Sequence, residues 1–386
     1  MNWPQRRLGD LMEFRNGLSY SAADRGEGLP IVGVADVSRG GRLPSGGFET
    51  IRTPPSLPEA ALLKPGDLLF VRSNGSRDLV GRCVEVGELD APTSHSGFTI
   101  RARVIDPAVN PKWIAAFFDC GLGNAVLGRG SRGTNINNLR QERLQGITLR
   151  IPPRPEQDRL LGHTARFDDA IANTESLHIA SRTLREELVR RLINESSHGT
   201  ADVAVPFGDI VQLVSDRQPH PQELGCEPCV ELEHIERDSG RLLKVTREAI
   251  SHGERIRFLK GDTLVGRLRP YLRKYYFAEQ DGFCSTEIWV LRPSQKYVAP
   301  AFLPILIQAD AVRRAMNKTS GTKMPRAEWH TVSRAVICLP SHSKQQQIIA
   351  AFESLNTKME VLRQMHDRLL QHRRAVHRKI LQHPVS

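Results

Sequence analysis

The sequence predicts an α+β protein with two mixed α/β domains, each followed by a long helix, and the two helices pair as an antiparallel coiled coil. Three observations support this prediction. Short motifs of the first half return in the same order in the second half, both copies end in a long segment of good helix formers, and both segments carry leucines seven residues apart. The duplication therefore predicts that a pseudo-twofold axis relates the two domains.

The repeat consists of matching segments that keep their order along the chain. The matched pairs are residues 8–11 with 207–210, 30–43 with 228–242, 65–72 with 260–267, 133–137 with 321–325, and 151–157 with 339–345. The spacing between the copies drifts along the chain, as insertions and deletions in loops would cause. With two copies, each well over a hundred residues long, the pattern indicates a doubled domain and not a solenoid of short repeats.

A long helix is predicted after each copy. Residues 156–194 contain no proline and one glycine, Gly162, so they predict a helix of about 55 Å. Residues 343–382 contain neither proline nor glycine. The heptad positions are Leu177, Leu184 and Leu188 in the first helix, and Leu355, Met359, Leu362, Leu369, Val376 and Ile380 in the second. This spacing is typical of a coiled-coil seam, and an ordinary core helix is the alternative.

These elements predict four segments. The first domain covers residues 1–151, a central helix and linker 152–200, the second domain 201–340, and a C-terminal long helix 341–386. Antiparallel pairing of the two helices would hold the domains at a fixed distance from each other.

The composition favours a polyanionic partner. Lysine and arginine total 54 against 43 acidic residues, which gives a net charge of +11. Six cysteines are scattered over the chain, unlike the dense framework of a small secreted domain, and no apolar segment has the length of a membrane span. We therefore expect a reduced, cytoplasmic protein without a membrane partner.

No catalytic residue is predicted. The string from Gly321 to Met324 lacks the hydroxyl residue and the upstream glycine of a phosphate-binding loop. The glycine-rich residues 121–130 follow a helical pattern instead of a strand, so we expect a flexible loop there and no dinucleotide fold. We find neither the short motif of an amino-methyltransferase nor the acidic cluster of a metal-dependent nuclease.

No metal site is predicted either. Cys226 and Cys229, with His220 and His234 nearby, have the composition of a zinc site. The first copy carries Ile31 where the second has Cys229, so the repeat argues for an ordinary strand at this place.

Basic residues concentrate where the repeat predicts loops and strand ends. In the second copy they accompany tyrosines between residues 255 and 276 and include Arg267, Arg269, Arg273 and Lys274. In the first copy, the counterparts are Arg72, Asn74, Arg77, Arg129, Ser131, Arg132, Thr134 and Asn135. Arginine and asparagine suit base edges and phosphates, so the clusters predict a DNA face, with a solvated basic loop as the alternative for any single residue.

Taken together, these motifs resemble the specificity subunit of type I restriction-modification systems, over essentially the whole chain. The resemblance implies that each domain is a target recognition domain that reads one half of a bipartite duplex DNA site, while the helices set the spacer. It also implies two methyltransferase subunits that use S-adenosylmethionine, and a possible restriction subunit that uses ATP and Mg²⁺, so that this chain binds no cofactor itself. Residues 129–135 in the first copy, and Thr319, Ser320, Thr322 and Lys323 in the second, lie where the family places a loop close to DNA.

The second copy carries Pro325 and Trp329 after this loop, unlike the first, which predicts an asymmetric target. Two other classes of protein are alternatives: a stand-alone DNA-modifying enzyme with an unrecognised site, and a coiled-coil interaction scaffold. Modification of DNA by the purified chain with Mg²⁺ or S-adenosylmethionine would indicate the enzyme, and a neighbouring methyltransferase gene would argue against the scaffold.

Overall fold

The computed structural model describes residues 3–37, 43–74, 79–129, 138–191, 203–219, 228–243, 254–319 and 324–382. It divides into two compact units. Unit 1 contains residues 1–178 and 362–386, and unit 2 contains residues 179–361. The four segments expected from the sequence stay a prediction. The boundaries of the two compact units fall within the long helices, so each unit includes part of both helices.

The first half of the chain contains mostly short elements. Its strands are β1 Gln5–Arg7, β2 Met12–Asn16, β3 Arg25–Val32, β4 Glu49–Ile51, β5 Leu68–Val71, β6 Cys83–Glu85, β7 Ser94–His95, β8 Thr99–Val104 and β9 Thr148–Arg150. Its helices are α1 Leu8–Leu11, α2 Val34–Val37, α3 Pro111–Asp119, α4 Leu122–Arg129, α5 Gln141–Gln145, α6 Arg154–Gly162 and α7 Ala165–Val189.

The second half follows a similar order. Its strands are β10 Val203–Pro206, β11 Val211–Val214, β12 Arg217–Pro219, β13 Cys229–Val230, β14 Glu254–Phe258, β15 Thr263–Gly266, β16 Tyr275–Phe277, β17 Gly282–Ser285, β18 Ile288–Pro293 and β19 Val336–Leu339. Its helices are α8 Phe207–Ile210, α9 Leu303–Leu306, α10 Asp310–Asn317, α11 Trp329–Ser333 and α12 His342–Gln382.

The sheets of the two units have matching topology. Unit 1 has an antiparallel sheet in the order β2-β8-β5-β6 and a pair β1-β9, and unit 2 has the order β11-β18-β15-β16 and a pair β10-β19. Each unit also has a third sheet with one parallel contact, β3 with β7 in unit 1 and β13 with β17 in unit 2. The α+β class is thus confirmed. The antiparallel four-stranded sheet and the strand pair repeat in topology, whereas the third sheets differ, with the orders β4-β3-β7 and β12-β14-β17-β13.

Matching polar contacts support the duplication. Asp67 follows a turn before β5 and takes two hydrogen bonds of 2.7 Å from Arg103, and Asp262 before β15 takes two of the same length from Arg292. Both aspartates are almost completely buried. Gln157 and Gln345, at equivalent positions near the start of the helical segments, each donate to two backbone carbonyl groups. These contacts fix the sheets and helices of each unit in the same way.

The long helices contact each other within each unit. In unit 1, Arg373 Nη1 of α12 lies 2.8 Å from Asp168 Oδ1, and His366 Nδ1 lies 3.4 Å from Thr174 Oγ1 of α7. As the residue number rises along α12, it falls along α7, so the segments run antiparallel there. In unit 2, the Arg185 guanidinium lies over the Phe352 ring. The coiled coil itself stays a prediction.

Two expectations about the first long helix were wrong. Residues 156–194 do not form one helix, because α6 ends at Gly162 and α7 begins at Ala165. Thr164 makes the break: its hydroxyl donates to the Leu161 carbonyl, and its own carbonyl accepts the next helical hydrogen bonds.

The leucine seam of this helix is also not the buried one. Leu177 and Leu184 are half exposed, at 50% and 56%. The buried positions of α7 are Ile171, Thr174, Ser181, Arg185 and Val189. Their spacing of three, seven, four and four residues still follows one helix face. The periodicity is therefore present, but the buried face is offset from the predicted leucine face, and most of its residues are polar.

The glycine-rich segment at residues 121–130 was expected to be a flexible loop, and this expectation was wrong as far as residue 129. Residues Leu122–Arg129 form helix α4, with Leu127 buried against the unit 1 core. Gly123 allows the close packing, since an added Cβ would lie 2.3 Å from the Phe118 ring. No helix among the described residues is long and apolar enough to cross a membrane.

A buried charge cluster joins α12 to α3 within unit 1. Asp119 lies 3.2 Å from Arg373 and 3.3 Å from both Arg374 and His377. Burial raises the pKa of Asp119, but the hydrogen bond to His377 and the positive charge of Arg373 outweigh it and bring the pKa to about 2.

This cluster predicts acid sensitivity. An aspartate whose folded pKa lies below its unfolded value of about 3.8 stabilises the fold above that pH, and the contribution disappears as pH falls towards 2. We expect Asp119→Asn to remove about 2 kcal/mol of pH-dependent stability. Urea unfolding of both proteins between pH 2 and 5 measures this, and identical pH slopes would contradict it.

Candidate nucleic-acid interface

A backbone junction occurs in equivalent form in both units, at the end of strands β5 and β15. In unit 1, the Arg72 N–H donates to the Phe98 carbonyl over 2.8 Å, and the Arg72 carbonyl accepts from the Leu139 N–H over 2.7 Å. In unit 2, the Arg267 N–H donates to Glu287 over 3.0 Å, and its carbonyl accepts from Ala327 over 2.9 Å. We call residues 72–73, 97–98 and 138–139, and residues 267–268, 286–287 and 326–327, the strand-exit junctions.

Each junction brings together elements that the sequence singled out separately. Arg72 and Arg267 were predicted to contact DNA. The third segment of each junction, residues 138–139 or 326–327, follows the loop that the resemblance places near DNA. Isolated bridges pair Ser73 with Asn138 and Leu268 with Arg326. The arginine at the strand exit and the end of the loop are therefore neighbours in both units.

In unit 2 the junction borders an open, strongly polar cleft of about 410 Å³. Its lining residues are Arg217, Glu254, Arg255, Arg267, Thr286, Glu287 and Arg326. Arg255 is buried and lies 2.9 Å from Glu231. Arg267 Nε is buried and has no hydrogen-bond partner among the described residues. Arginines arranged along an open cleft suit the recognition of phosphates and base edges.

Glu287 and Arg326 form a forked ion pair in this cleft. Arg326 Nη2 lies 2.7 Å from Glu287 Oε1, and Arg326 Nε lies 3.0 Å from Oε2. The hydrogen bond from Arg326 lowers the pKa of the Glu287 carboxyl, so it stays ionised at neutral pH. Both side chains remain about one-third exposed and therefore accessible from the cleft.

A second cleft of unit 2, of about 470 Å³, lies between α10 and α11. Its charged lining residues are Arg314, Lys318, His330 and Arg334. No acidic residue is among those that line it, although Glu328 lies 3.4 Å from His330. A cleft with cations on two sides attracts phosphate groups.

The remaining predicted residues have different positions. Arg269 and Arg273 have left-handed backbone, at φ 52° and 49°, and Arg269 N–H donates to the Pro325 carbonyl. Lys274 Nζ donates to the Leu232 carbonyl over 2.7 Å, and burial lowers its pKa, so its ammonium is held within the fold. These contacts support the strand-exit turn that carries Arg267.

Eight of the predicted site residues belong to segments that the structure does not describe. Arg77, Ser131, Arg132, Thr134, Asn135, Ser320, Thr322 and Lys323 lie outside the described residues. The backbone of Arg129 ends α4, Asn74 follows the unit 1 junction, and Thr319 lies at the end of the described segment 254–319. The roles assigned to all of these residues stay predictions.

Cys229 and His234, two residues of the motif with zinc-site composition, have structural roles. Cys229 is buried in β13 and pairs in parallel with Phe283, just as Ile31 pairs with Ser94. His234 Nδ1 accepts the Glu231 N–H over 3.0 Å in a helix-capping arrangement. Cys226 and His220 lie outside the described residues.

Sequence reasoning missed Glu287, Arg326, Phe98, Asn138 and the basic cleft. The signal for two of them was present, because extending the match of residues 133–137 with 321–325 by one position aligns Asn138 with Arg326. The basic cleft had no such signal, because its cations lie on or next to α10 and α11. These two helices become neighbours only through packing.

The topology and the repeated junctions define a duplicated α+β chain with an equivalent strand-exit junction in each unit. Its sequence matches the EcoKI type I specificity subunit of Escherichia coli, at 30% identity over 149 residues, or 38% of this chain and 32% of the relative. It also matches the StySPI type I specificity subunit of Salmonella potsdam, at 27% identity over 163 residues, or 41% of this chain and 34% of the relative. The matched region spans about a third of the length of these relatives. No protein-family model matches.

Solved structures agree on the fold. A chain from a structure of the type I R-M system superposes with a TM-score of 0.50 at 13% identity, over 98% of this chain and 97% of that chain. The type I S subunit from M. genitalium gives a TM-score of 0.48 at 15% identity, over 99% of this chain and 96% of that chain. The sequence matches confirm the predicted resemblance to type I specificity subunits, and the superposition with a TM-score of 0.50 supports the fold.

Proposed function

We propose that this chain is the DNA sequence-specificity subunit of a type I restriction-modification complex. Each unit would bind one half of a bipartite duplex target, and the chain would itself be non-catalytic. The observation that carries the proposal is the strand-exit junction, which joins a predicted DNA-contacting arginine to the end of a predicted DNA loop in both copies.

We further propose that the long helices dock methyltransferase subunits, two per chain, and that restriction subunits join them. S-adenosylmethionine, ATP and Mg²⁺ would be held by those partners, and the assembly would work in the cytoplasm. Leu177 and Met365, which are both half exposed, lie within unit 1 on helices that contact each other at Thr174 and His366. Exposed apolar side chains on such helices are suited to a protein partner.

Selection from a pool of randomised DNA duplexes tests the proposal directly. The full chain is equilibrated with the pool, and the bound duplexes are sequenced. We expect two short conserved blocks separated by a spacer of fixed length. Enrichment of no sequence, or of a single block, would contradict a bipartite specificity subunit.

Removal of Arg267 provides a residue-level test. We expect Arg267→Ala to weaken binding of the selected duplex by about 1–3 kcal/mol, or roughly 5-fold to 150-fold, because an arginine on a base edge or phosphate is lost. Arg241→Ala is the matched control, since Arg241 is an ion-paired arginine of the same unit that does not line the cleft. Equal affinities of the two variants in a fluorescence titration would exclude the assigned role of Arg267.

A further inference from the structure

Asn138 and Arg326 occupy equivalent positions in the two strand-exit junctions. Each is bridged to the residue after the strand-exit arginine, Ser73 in unit 1 and Leu268 in unit 2. The residue that follows each one, Leu139 or Ala327, donates its N–H to the carbonyl of that arginine. The backbone is therefore held alike in both units, while the side chains are an amide and a guanidinium.

The guanidinium of Arg326 is oriented by Glu287. The carboxylate engages the Nε and Nη2 side of the fork, as the contacts of 3.0 and 2.7 Å indicate. The N–H groups at Nη1 and the remaining one at Nη2 have no partner among the described residues, and they lie at the edge of a cleft that is open to solvent. Two parallel N–H groups match the O6 and N7 acceptors of guanine. An arginine already held by a carboxylate loses less side-chain entropy on binding.

Unit 1 has different chemistry at the same place. Asn138 is exposed, and the position of Glu287 is taken by Phe98, which is 61% exposed. An asparagine amide offers one donor and one acceptor, which match N7 and N6 of adenine. The phenyl ring has no ionic partner to hold, and an apolar group of this kind fits the methyl group of thymine, the base that pairs with adenine.

We propose that Asn138 and Arg326 are specificity-determining residues that read an adenine in one half-site and a guanine in the other, with Glu287 as the positioning residue of Arg326. The inference rests on the proposed function, since it concerns the same DNA-binding role. It goes further by naming the bases and by locating the difference between the two units in one pair of equivalent side chains.

Reciprocal substitutions in the full chain test the proposal by the randomised-duplex selection. Arg326→Asn should replace a guanine by an adenine at one position of one block, and Asn138→Arg should replace an adenine by a guanine in the other block. Arg241→Asn is the control that removes a similar arginine–glutamate pair of unit 2, with contacts of 3.2 and 3.4 Å, and it should leave both blocks unchanged.

Two further variants separate base reading from charge and from folding. Arg326→Lys keeps the charge but lacks the fork, so we expect about a tenfold loss of preference for guanine with an unchanged salt dependence of binding. Glu287→Gln should weaken the preference without changing the preferred base. If Arg326→Lys kept the full preference for guanine and Arg326→Asn lowered the salt slope by about one contact, Arg326 would hold a phosphate and the assignment would be overturned.

The outcomes for the two proposals are distinguishable. If the unmodified chain enriches no sequence, the proposed function fails. If it enriches two blocks and both reciprocal variants enrich the same two blocks, only the assignment of Asn138 and Arg326 is overturned.

Discussion

Replacement of Asp67 by alanine is expected to lower the free energy of unfolding of unit 1 by about 3–5 kcal/mol, the cost of breaking a buried ion pair from one side. Asp67 is 1% exposed, and it accepts the Lys64 N–H over 2.8 Å as well as the two bonds from Arg103. Without the carboxylate, the Arg103 guanidinium stays near the protein interior, and the Leu62 carbonyl is its remaining hydrogen-bond partner among the described residues. The backbone turn before β5 also loses its acceptor.

The equivalent change in unit 2, Asp262→Ala, is expected to have an effect of similar size, because Asp262 accepts the Leu259 N–H and the two bonds from Arg292 in the same arrangement. Each variant should act on its own unit. Hydrogen exchange under increasing urea, followed by mass spectrometry of peptides from β5 and β15, reports both units in the same sample.

Asp367→Ala is the control for both substitutions. Its partner Arg363 lies 2.9 Å away on the exposed surface of α12, and surface pairs of this type contribute about 0–1 kcal/mol. Losses as small as that control for Asp67→Ala and Asp262→Ala would show that the two buried pairs do not stabilise the units.

The sequence predicted much of the architecture because duplication leaves a double record of each element. Matched segments that the structure describes form equivalent elements, such as α1 with α8 and β5 with β15, and they include the aspartates that precede these two strands. Glycine and proline content correctly predicted α12, which covers residues His342–Gln382. Such features are local or repeated, so they can be recognised without knowledge of the tertiary packing.

The errors came from features that depend on packing. A leucine is a good indicator of burial only when a partner covers it, and Leu177 and Leu184 lie outside the face that contacts α12 in each unit, which Thr174 and Arg185 occupy instead. Polar side chains can be buried on that face because Thr174 contacts His366 and Arg185 donates a hydrogen bond to Asn356. A helix was missed at residues Leu122–Arg129 because the glycine that disfavours a helix there, Gly123, is what lets it pack on Phe118.

The candidate interface was predicted in part. The strand-exit arginines follow buried strands and were recognised, whereas the ion pair of Glu287 with Arg326 joins residues 39 positions apart, and neither residue is unusual in the sequence. Lys274 shows the opposite case. It was assigned to the DNA face from its position among basic residues, but its ammonium is directed to the Leu232 carbonyl. Charge content therefore identifies a basic region, and only the fold decides which cations remain available.

The basic cleft between α10 and α11 predicts the largest effect on DNA binding. Arg314 lies on α10, Lys318 follows its last residue, and Arg334 follows α11, so their charges converge although they are spread over 21 positions of the sequence. Phosphate contacts release condensed counterions. The logarithm of the binding constant therefore falls with the logarithm of the salt concentration, and each contact adds about 0.9 to the magnitude of this slope. The triple variant Arg314→Gln, Lys318→Gln, Arg334→Gln should therefore lower the slope by about 2.7 and the affinity at 0.1 M salt by about 500-fold.

A second triple variant controls for the loss of net charge. Arg159, Arg182 and Arg190 are exposed arginines that each pair with a glutamate three or four residues away, and none of them lines the cleft, so their replacement by glutamine removes the same number of charges. We expect the slope to change by less than one contact in this control, because long-range charge is screened within about 10 Å at 0.1 M salt. Equal slopes for the two triple variants would mean that net charge alone attracts the DNA. A lower slope for the cleft variant alone, with both conserved blocks retained in selection, would mean that the cleft holds the backbone while the strand-exit junctions read the bases.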